Sequence, residues 1–202
     1  MASPPVLDVE KLVEPIPGES PVGSELREVD ADLYNQIKDV AGAARHEERR
    51  FFTVEPSERS SVNPDWRPLL DLVPAALSEK SKDLELTAWL IEALVREHGF
   101  AGLRDGFKLT RLLVENYWDT IFPLPDEDGM ETRLYALTGL NGDDATGTLI
   151  APINNVPITS PTSFDRAFTR SDYEQAFDLE KLGDATKKQQ RIDECSVSIT
   201  KY

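Results

Sequence analysis

Apolar residues recur at steps of three and four over five segments of the chain, which cover about residues 30–44, 63–77, 83–98, 101–121 and 130–140. This spacing places the apolar side chains of each segment on one face of a helix. The sequence shows no strand alternation, sustained heptad array or internal repeat. It therefore predicts an all-α fold, a compact irregular bundle of about five to seven helices with an extended Pro-rich N-terminal arm.

Prolines and glycines mark the predicted helix ends. Asn63-Pro64-Asp65 predicts a helix start, and Pro74 predicts a kink or an early end of that helix. Gly99 is a C-cap candidate after the third helix. Gly102 and Gly106 lie four residues apart in the fourth helix, where each costs about 1 kcal/mol relative to alanine. They predict that another backbone approaches this face, or that the helix starts late.

Residues 1–29 contain five prolines and predict an extended arm ahead of a helical core domain over residues 30–141. Within that core, the polar residues 45–62 predict a mobile loop with Phe51 and Phe52 as its anchors.

The signal weakens after Asn141. Residues 142–177 predict an appended turn, a linker over 159–163 and a short helix, which a capping box at Ser171 and Glu174 would open. Residues 178–202 predict a polar, disordered tail or the truncated start of a further region.

Charge narrows the classes of partner. The chain has 37 acidic and 22 basic side chains and a net charge of −15, of which residues 1–141, with 27 acidic and 15 basic side chains, contribute −12. This balance argues against binding to nucleic acid or anionic lipid and favours basic partner surfaces. The single cysteine, Cys195, cannot form an internal disulfide, and no secretory signal or membrane-spanning stretch is visible. The sequence therefore predicts a cytoplasmic protein.

No residue set has a spacing typical of catalysis or metal binding. His46 lies in a charged segment, and His98 is better placed to stabilise a helix end. Asp126-Glu127-Asp128 resembles a calcium loop only in composition. The tryptophans lie on predicted helices, where packing is their expected role; they are Trp66, Trp89 and Trp118. The sequence predicts no catalytic, cofactor-binding or metal-binding residue and no cofactor.

Seven motifs, in order over about residues 13–141, resemble the ImpA N-terminal domain family. They are Pro15-Ile16-x-Gly18-x-Ser20-Pro21-x-Gly23-x-x-Leu26-Arg27, Asp65-Trp66, Ser81-Lys82-Asp83-Leu84, Gly99-Phe100-Ala101-Gly102-Leu103-x-x-Gly106, Tyr117-Trp118-Asp119, Pro123-Leu124-Pro125 and Arg133-x-x-x-Leu137. Val22 departs from the pattern, since small residues or cysteine are expected at this position.

This family is found in TssA-type subunits of bacterial type VI secretion systems. The resemblance implies a cytoplasmic, non-enzymatic assembly factor that contacts baseplate, tail tube and sheath, or membrane-complex subunits, without nucleic acid or direct membrane insertion. It also implies oligomerisation through a C-terminal domain absent from this chain. An excised N-terminal region and a short paralogue both fit the sequence.

The leading hypothesis is therefore a protein–protein interaction module. Two alternatives stay open: a self-associating structural domain of the same apparatus, and an acid/base hydrolase. A deep pocket lined by convergent carboxylates would favour the hydrolase.

Overall fold

A computed structural model describes residues 3–54, 58, 61–127, 129–142, 146–161, 167–181, 186–187 and 189. The chain is 66% helical, and the described residues contain eight helices and no strands, which confirms the all-α prediction. The helices are α1 Val9–Val13, α2 Leu26–Val29, α3 Ala31–Thr53, α4 Arg67–Glu79, α5 Leu84–Tyr117, α6 Met130–Asn141, α7 Ile150–Asn154 and α8 Arg170–Lys181. Two compact units comprise residues 1–150 and 151–202.

Helix α5 is a helical hairpin. Gly99 has φ 56° and ψ −137°, a left-handed conformation that L side chains rarely adopt, and the chain reverses there. A Cβ atom on Gly102 would lie 2.1 Å from the carbonyl oxygen of Leu94, although eight residues span about 12 Å in a straight helix. The prediction of two helices divided at Gly99, with close backbone approach at Gly102, is therefore confirmed.

The core of the first unit forms where α1 and α4 pack on α5 and α3 packs on α4. Its fully buried side chains come from all four helices and from α2, and the largest are Trp66, Leu26, Ile37, Leu69, Leu77, Leu84, Leu86, Leu90, Leu94 and Leu109. Trp66 and Trp89 are buried, as predicted. Trp118 is 37% exposed, because it lies just after the last turn of α5 rather than on an inward face.

A short connection at residues 81–83 joins three parts of the chain. The backbone N–H of Lys82 donates to the carbonyl of Val22 at 2.8 Å, and its carbonyl accepts from Phe122 at 3.0 Å. The Lys82 ammonium is buried and donates to the carbonyls of Leu12 and Leu77, both at 2.7 Å. The N-terminal segment is thus held against the core. The prediction of an extended arm over residues 1–29 is wrong where α1 and α2 form, and turns and bends occur between these two helices.

The prediction of a loop from residue 45 is wrong over residues 45–53, because α3 continues to Thr53. Polar side chains hold this extension against α5. Arg45 binds Glu92 through two hydrogen bonds of 2.6 and 2.9 Å, and Glu48 binds Arg96 at 2.6 Å. The extension therefore packs through ion pairs that helical apolar periodicity does not reveal. Residues 55–57, 59 and 60 of the predicted loop lie outside the described residues.

Helix α4 begins at Arg67, later than the Asn63-Pro64-Asp65 signal predicts, and it does not end early at Pro74. Asp65 still supports the start, since its carboxylate accepts from the backbone N–H of Arg67 at 3.2 Å. Beyond Pro74, the Ser78 hydroxyl donates to the Pro74 carbonyl at 2.8 Å, and the helix continues to Glu79.

The second unit contains the predicted last helix, but its cap lies two residues earlier than predicted. Thr169 and Asp172 form the capping box: the N–H of Thr169 donates to the Asp172 carboxylate at 2.9 Å, and the N–H of Asp172 donates to the Thr169 hydroxyl at 3.2 Å. Ser171 instead donates to the carbonyl of Asn154. Helix α7 was not predicted. The predicted tail begins later than residue 178, because α8 continues to Lys181, and most of the remaining tail lies outside the described residues.

Candidate functional site

An open groove lies between α3 and α6, and the first arm of α5 forms its floor. It consists of two adjoining cavities of about 380 and 620 Å³, which share Glu85, Tyr135 and Ala136. We call it the α3–α6 groove. Its main lining residues are Tyr34, Lys38, Asp39 and Gly42 on the α3 wall, Glu85, Trp89 and Glu92 on the floor, and Glu131, Tyr135, Ala136 and Gly139 on the α6 wall.

Arg27 organises one end of the groove. Its guanidinium donates to the carboxylate of Asp83 at 2.7 Å and to that of Glu85, and it lies 4.7 Å from the centre of the Tyr34 ring. The Tyr34 hydroxyl also donates to Glu85, at 2.9 Å. Burial disfavours the Arg27 cation, but Asp83 and Glu85 more than offset this effect, so the pKa of Arg27 is raised. Arg27 therefore stays charged and tied to these carboxylates.

Asp83 serves as the N-cap of α5. Its fully buried carboxylate accepts from the backbone N–H groups of Glu85 at 2.7 Å and Leu86 at 3.3 Å, in addition to Arg27. Burial raises the pKa of Asp83, and the Arg27 cation opposes that shift. The charge of Arg27 and the start of the floor helix are thus coupled through one side chain.

The other end of the groove has a second ionic cluster. Arg45 binds Glu92 in a bidentate pair, and Arg96 lies beside it with its guanidinium 4.0 Å from the centre of the buried Trp66 ring. Arg96 also donates to the carbonyl of Glu92 at 2.8 Å. The carboxylates of the groove floor, Glu85 and Glu92, are therefore both engaged by arginines. A hydrolase would need carboxylates free to act as acid and base, so this arrangement gives the hydrolase hypothesis no support.

Arg133 fixes the α6 wall. Its buried guanidinium donates to the carbonyls of Pro123 at 3.0 Å and Trp118 at 2.6 Å, and it lies 5.1 Å from the centre of the Trp118 ring. The segment after α5 is thereby joined to α6. Tyr135, on the next part of the same helix, is 78% exposed at the junction of the two cavities.

Two glycines face the groove from opposite walls. A Cβ atom on Gly42 or Gly139 would meet no described atom within 4 Å, and neither glycine has a positive φ. Each therefore costs the helix about 1 kcal/mol relative to alanine without relieving a clash inside the described fold. Their effect is to leave space along both walls, where a backbone from outside could come close.

The structure gives the other candidate residues no shared site. His46 and His98 are exposed on different helices, and Asp126 accepts a hydrogen bond from Thr132 at 2.7 Å. Cys195 and Asp128 lie outside the described residues. Over the part of the chain that the structure describes, no group of three or more His, Cys, Asp or Glu residues could hold a metal ion. No helix within the same described ranges is both long and apolar enough to cross a membrane.

Residues of different motifs contact one another at the groove: Arg27 binds Asp83, and Arg133 binds the carbonyls of Trp118 and Pro123. The family model described as "ImpA, N-terminal, type VI secretion system" matches residues 13–142. The chain belongs to this ImpA N-terminal family. The matched residues include every helix from α2 to α6, and hence both walls and the floor of the groove.

Two relatives support the assignment of this ImpA N-terminal domain. Type VI secretion system component TssA1 of Pseudomonas aeruginosa is 35% identical over 138 residues, which are 67% of this chain and 38% of TssA1. The N-terminal domain, including the ImpA_N region, of the TssA component from Burkholderia cenocepacia has a similar structure. Its TM-score is 0.66 at 28% identity, over 89% of this chain and 64% of that one.

The sequence predicted neither the groove nor a role for the residues that anchor it. Arg27, Asp83 and Arg133 belong to the family motifs, whereas Glu85, Tyr135 and the two wall glycines do not. Glycine inside a predicted helix was a visible signal at Gly42 and Gly139, because it lowers helix propensity without ending the apolar repeat.

Proposed function

We propose that this ImpA N-terminal domain is a non-enzymatic protein–protein interaction module of a type VI secretion assembly subunit. It docks on components of the baseplate, the tail tube and sheath, or the membrane complex. The observation that carries this proposal is the α3–α6 groove, an open concave surface whose walls and floor are fixed by internal hydrogen bonds. Membership of the family supports the choice of apparatus.

The groove has the chemistry of a docking surface. Its ionic groups form pairs within the domain: the partly buried Arg27 binds Glu85, and the partly buried Arg45 binds the buried Glu92. A partner therefore does not have to neutralise a buried charge on binding, which would be costly. Tyr135 supplies a large exposed aromatic side chain, a type that is enriched in interface cores.

The partners in this proposal are other type VI secretion subunits with basic docking surfaces, because the domain carries most of the chain's negative charge. We further propose that the protein works in the cytoplasm, without nucleic acid or membrane insertion. Oligomerisation through a C-terminal domain stays part of the proposal, and the match covers only 38% of the relative TssA1.

Pairwise co-purification tests the proposal. The tagged chain is expressed with each baseplate, tube, sheath and membrane-complex subunit encoded with it, and we expect retention of at least one of them. Tyr135→Ala should weaken that retention, whereas Phe107→Ala, which removes an exposed aromatic side chain from the second arm of α5, should not.

Retention of no subunit would contradict the proposal. Self-association of the chain in light scattering, without binding to any subunit, would instead favour the self-associating structural domain.

A further inference from the structure

We propose that the α3–α6 groove receives an amphipathic helix of the partner, with small or apolar residues on the face that enters the groove and lysine or arginine residues along its flanks. This inference rests on the proposed function and adds the chemistry of the partner segment. It is carried by three features of the groove: its dimensions, its wall glycines and the distribution of its charges.

The dimensions suit a short helix. The lining residues of α3 extend from Tyr34 to Arg45, about 16 Å along the helix axis, and those of α6 extend from Glu131 to Gly139, about 12 Å. Two to three turns of an incoming helix fit this length. Both walls and the floor are themselves helices, so the occupant would pack on three neighbours, as in helix-in-groove recognition.

The wall glycines permit close approach of an incoming backbone. Gly42 and Gly139 face open space. Each has a small neighbour in the lining of the groove: Ala43 follows Gly42 in sequence, and Ala136 lies one turn before Gly139 on α6. Small residues on facing helices allow short distances between helix axes, because no side chain separates the backbones. A helix with small or apolar side chains on its inward face matches these walls.

The charged residues of the groove indicate which residues suit the polar face of the incoming helix. On the floor, Glu85 and Glu92 are paired with arginines, so the entering face meets no unpaired acid there. On the walls, Asp39 and Glu131 are exposed and make no ion pair with other described residues. Lys38 is a basic exception on the α3 wall. Basic residues on the flanks of the occupant would complement these two acids.

The test uses the subunit that the co-purification identifies, with its Kd for the full chain measured by calorimetry. Filling the groove with Gly42→Gln and Gly139→Gln together should weaken binding at least tenfold. Ala75→Gln, an exposed substitution on α4 outside the groove, is the matched control and should change the Kd by less than twofold. Thermal unfolding of each variant shows whether the domain remains folded.

Charge reversal tests the flanks. Asp39→Lys should weaken binding several-fold at low salt and less at high salt, whereas Asp71→Lys on α4 should not. A photo-crosslinking residue in place of Tyr135 then identifies the partner segment. We expect a basic amphipathic helix.

The inference and the proposed function fail in different ways. If the folded glycine variants bind as tightly as wild type, the inference is overturned while the proposed function stays in place. Crosslinking to an extended segment, to an acidic segment or to a second copy of this chain would have the same consequence. Binding of wild type to no subunit would overturn both.

Discussion

Arg27 and Asp83 form a 2.7 Å hydrogen-bonded ion pair across 56 residues of sequence. Asp83 is fully buried and caps α5, whereas Arg27 also contacts Glu85 and Tyr34 in the groove. This pair connects the N-terminal segment, the floor helix and the candidate docking surface.

Loss of Arg27 should destabilise the whole first unit. Arg27→Met leaves the buried Asp83 carboxylate without its cation, so we expect the free energy of unfolding to fall by about 3 kcal/mol. Urea denaturation followed by circular dichroism measures this change. Arg67→Met is the matched control, since it removes an exposed pair with Asp65 and should have little effect. Equal effects of the two substitutions would contradict the role given to Asp83.

The hairpin of α5 should not tolerate a side chain at Gly102. In Gly102→Ala the new methyl group would lie 2.1 Å from the Leu94 carbonyl oxygen, and only backbone movement could relieve that contact. We expect a loss of about 3 kcal/mol in the free energy of unfolding. Chemical denaturation tests it, and a variant as stable as wild type would show that the two arms are farther apart than described.

The groove glycines should behave in the opposite way. Gly42→Ala and Gly139→Ala add a methyl group that meets no described atom, so each should raise the free energy of unfolding by about 1 kcal/mol. The same denaturation experiment measures both variants. A loss of stability at either position would mean that the wall is occupied within the chain itself.

Lys82 should make stability depend on pH in the alkaline range. Burial lowers the pKa of Lys82 from 10.5 to about 8, so between these values the unfolded chain holds a proton that the folded chain has released. The free energy of unfolding should therefore rise with pH across that window, by about 3 kcal/mol in full.

A comparison with Lys82→Met isolates this contribution. The difference in free energy of unfolding between wild type and the variant should be constant from pH 6 to 7.5. From there to pH 10.5, wild type should become more stable relative to the variant. Parallel stability curves for the two proteins would show that Lys82 keeps its ordinary pKa.

Helix positions were predictable where apolar residues repeat. They were not predictable where ion pairs between side chains hold a helix against its neighbour. The repeat placed α6 over Met130–Asn141 and divided α5 at Gly99. It stopped α3 at about Ala44, because Arg45 and Glu48 pack on α5 through Glu92 and Arg96, which lie 47 and 48 residues later. Such pairs depend on the tertiary fold, and no local pattern contains them.

The sequence marked the anchors of the candidate site as family-motif residues but did not predict the site. Arg27, Asp83 and Arg133 belong to motifs that mark the family, and all three hold the backbone around the groove. The groove itself arises because α3 and α6 both pack beside the first arm of α5. The position of Tyr135 at the junction of its cavities follows from that packing and not from the residues next to it in sequence.

The hairpin of α5 also bears on how the chain folds. Leu94 and Gly102 are eight residues apart, and Ile91 and Gly106 are fifteen residues apart. The two arms of α5, the most buried helix, therefore contact each other between residues that are close in sequence. Loop closure of this length costs little chain entropy compared with bringing Arg27 to Asp83. Contacts that are local in sequence also form fast. We expect the hairpin to assemble first, with the N-terminal segment and α6 docking onto it afterwards, so that the groove is completed late in folding.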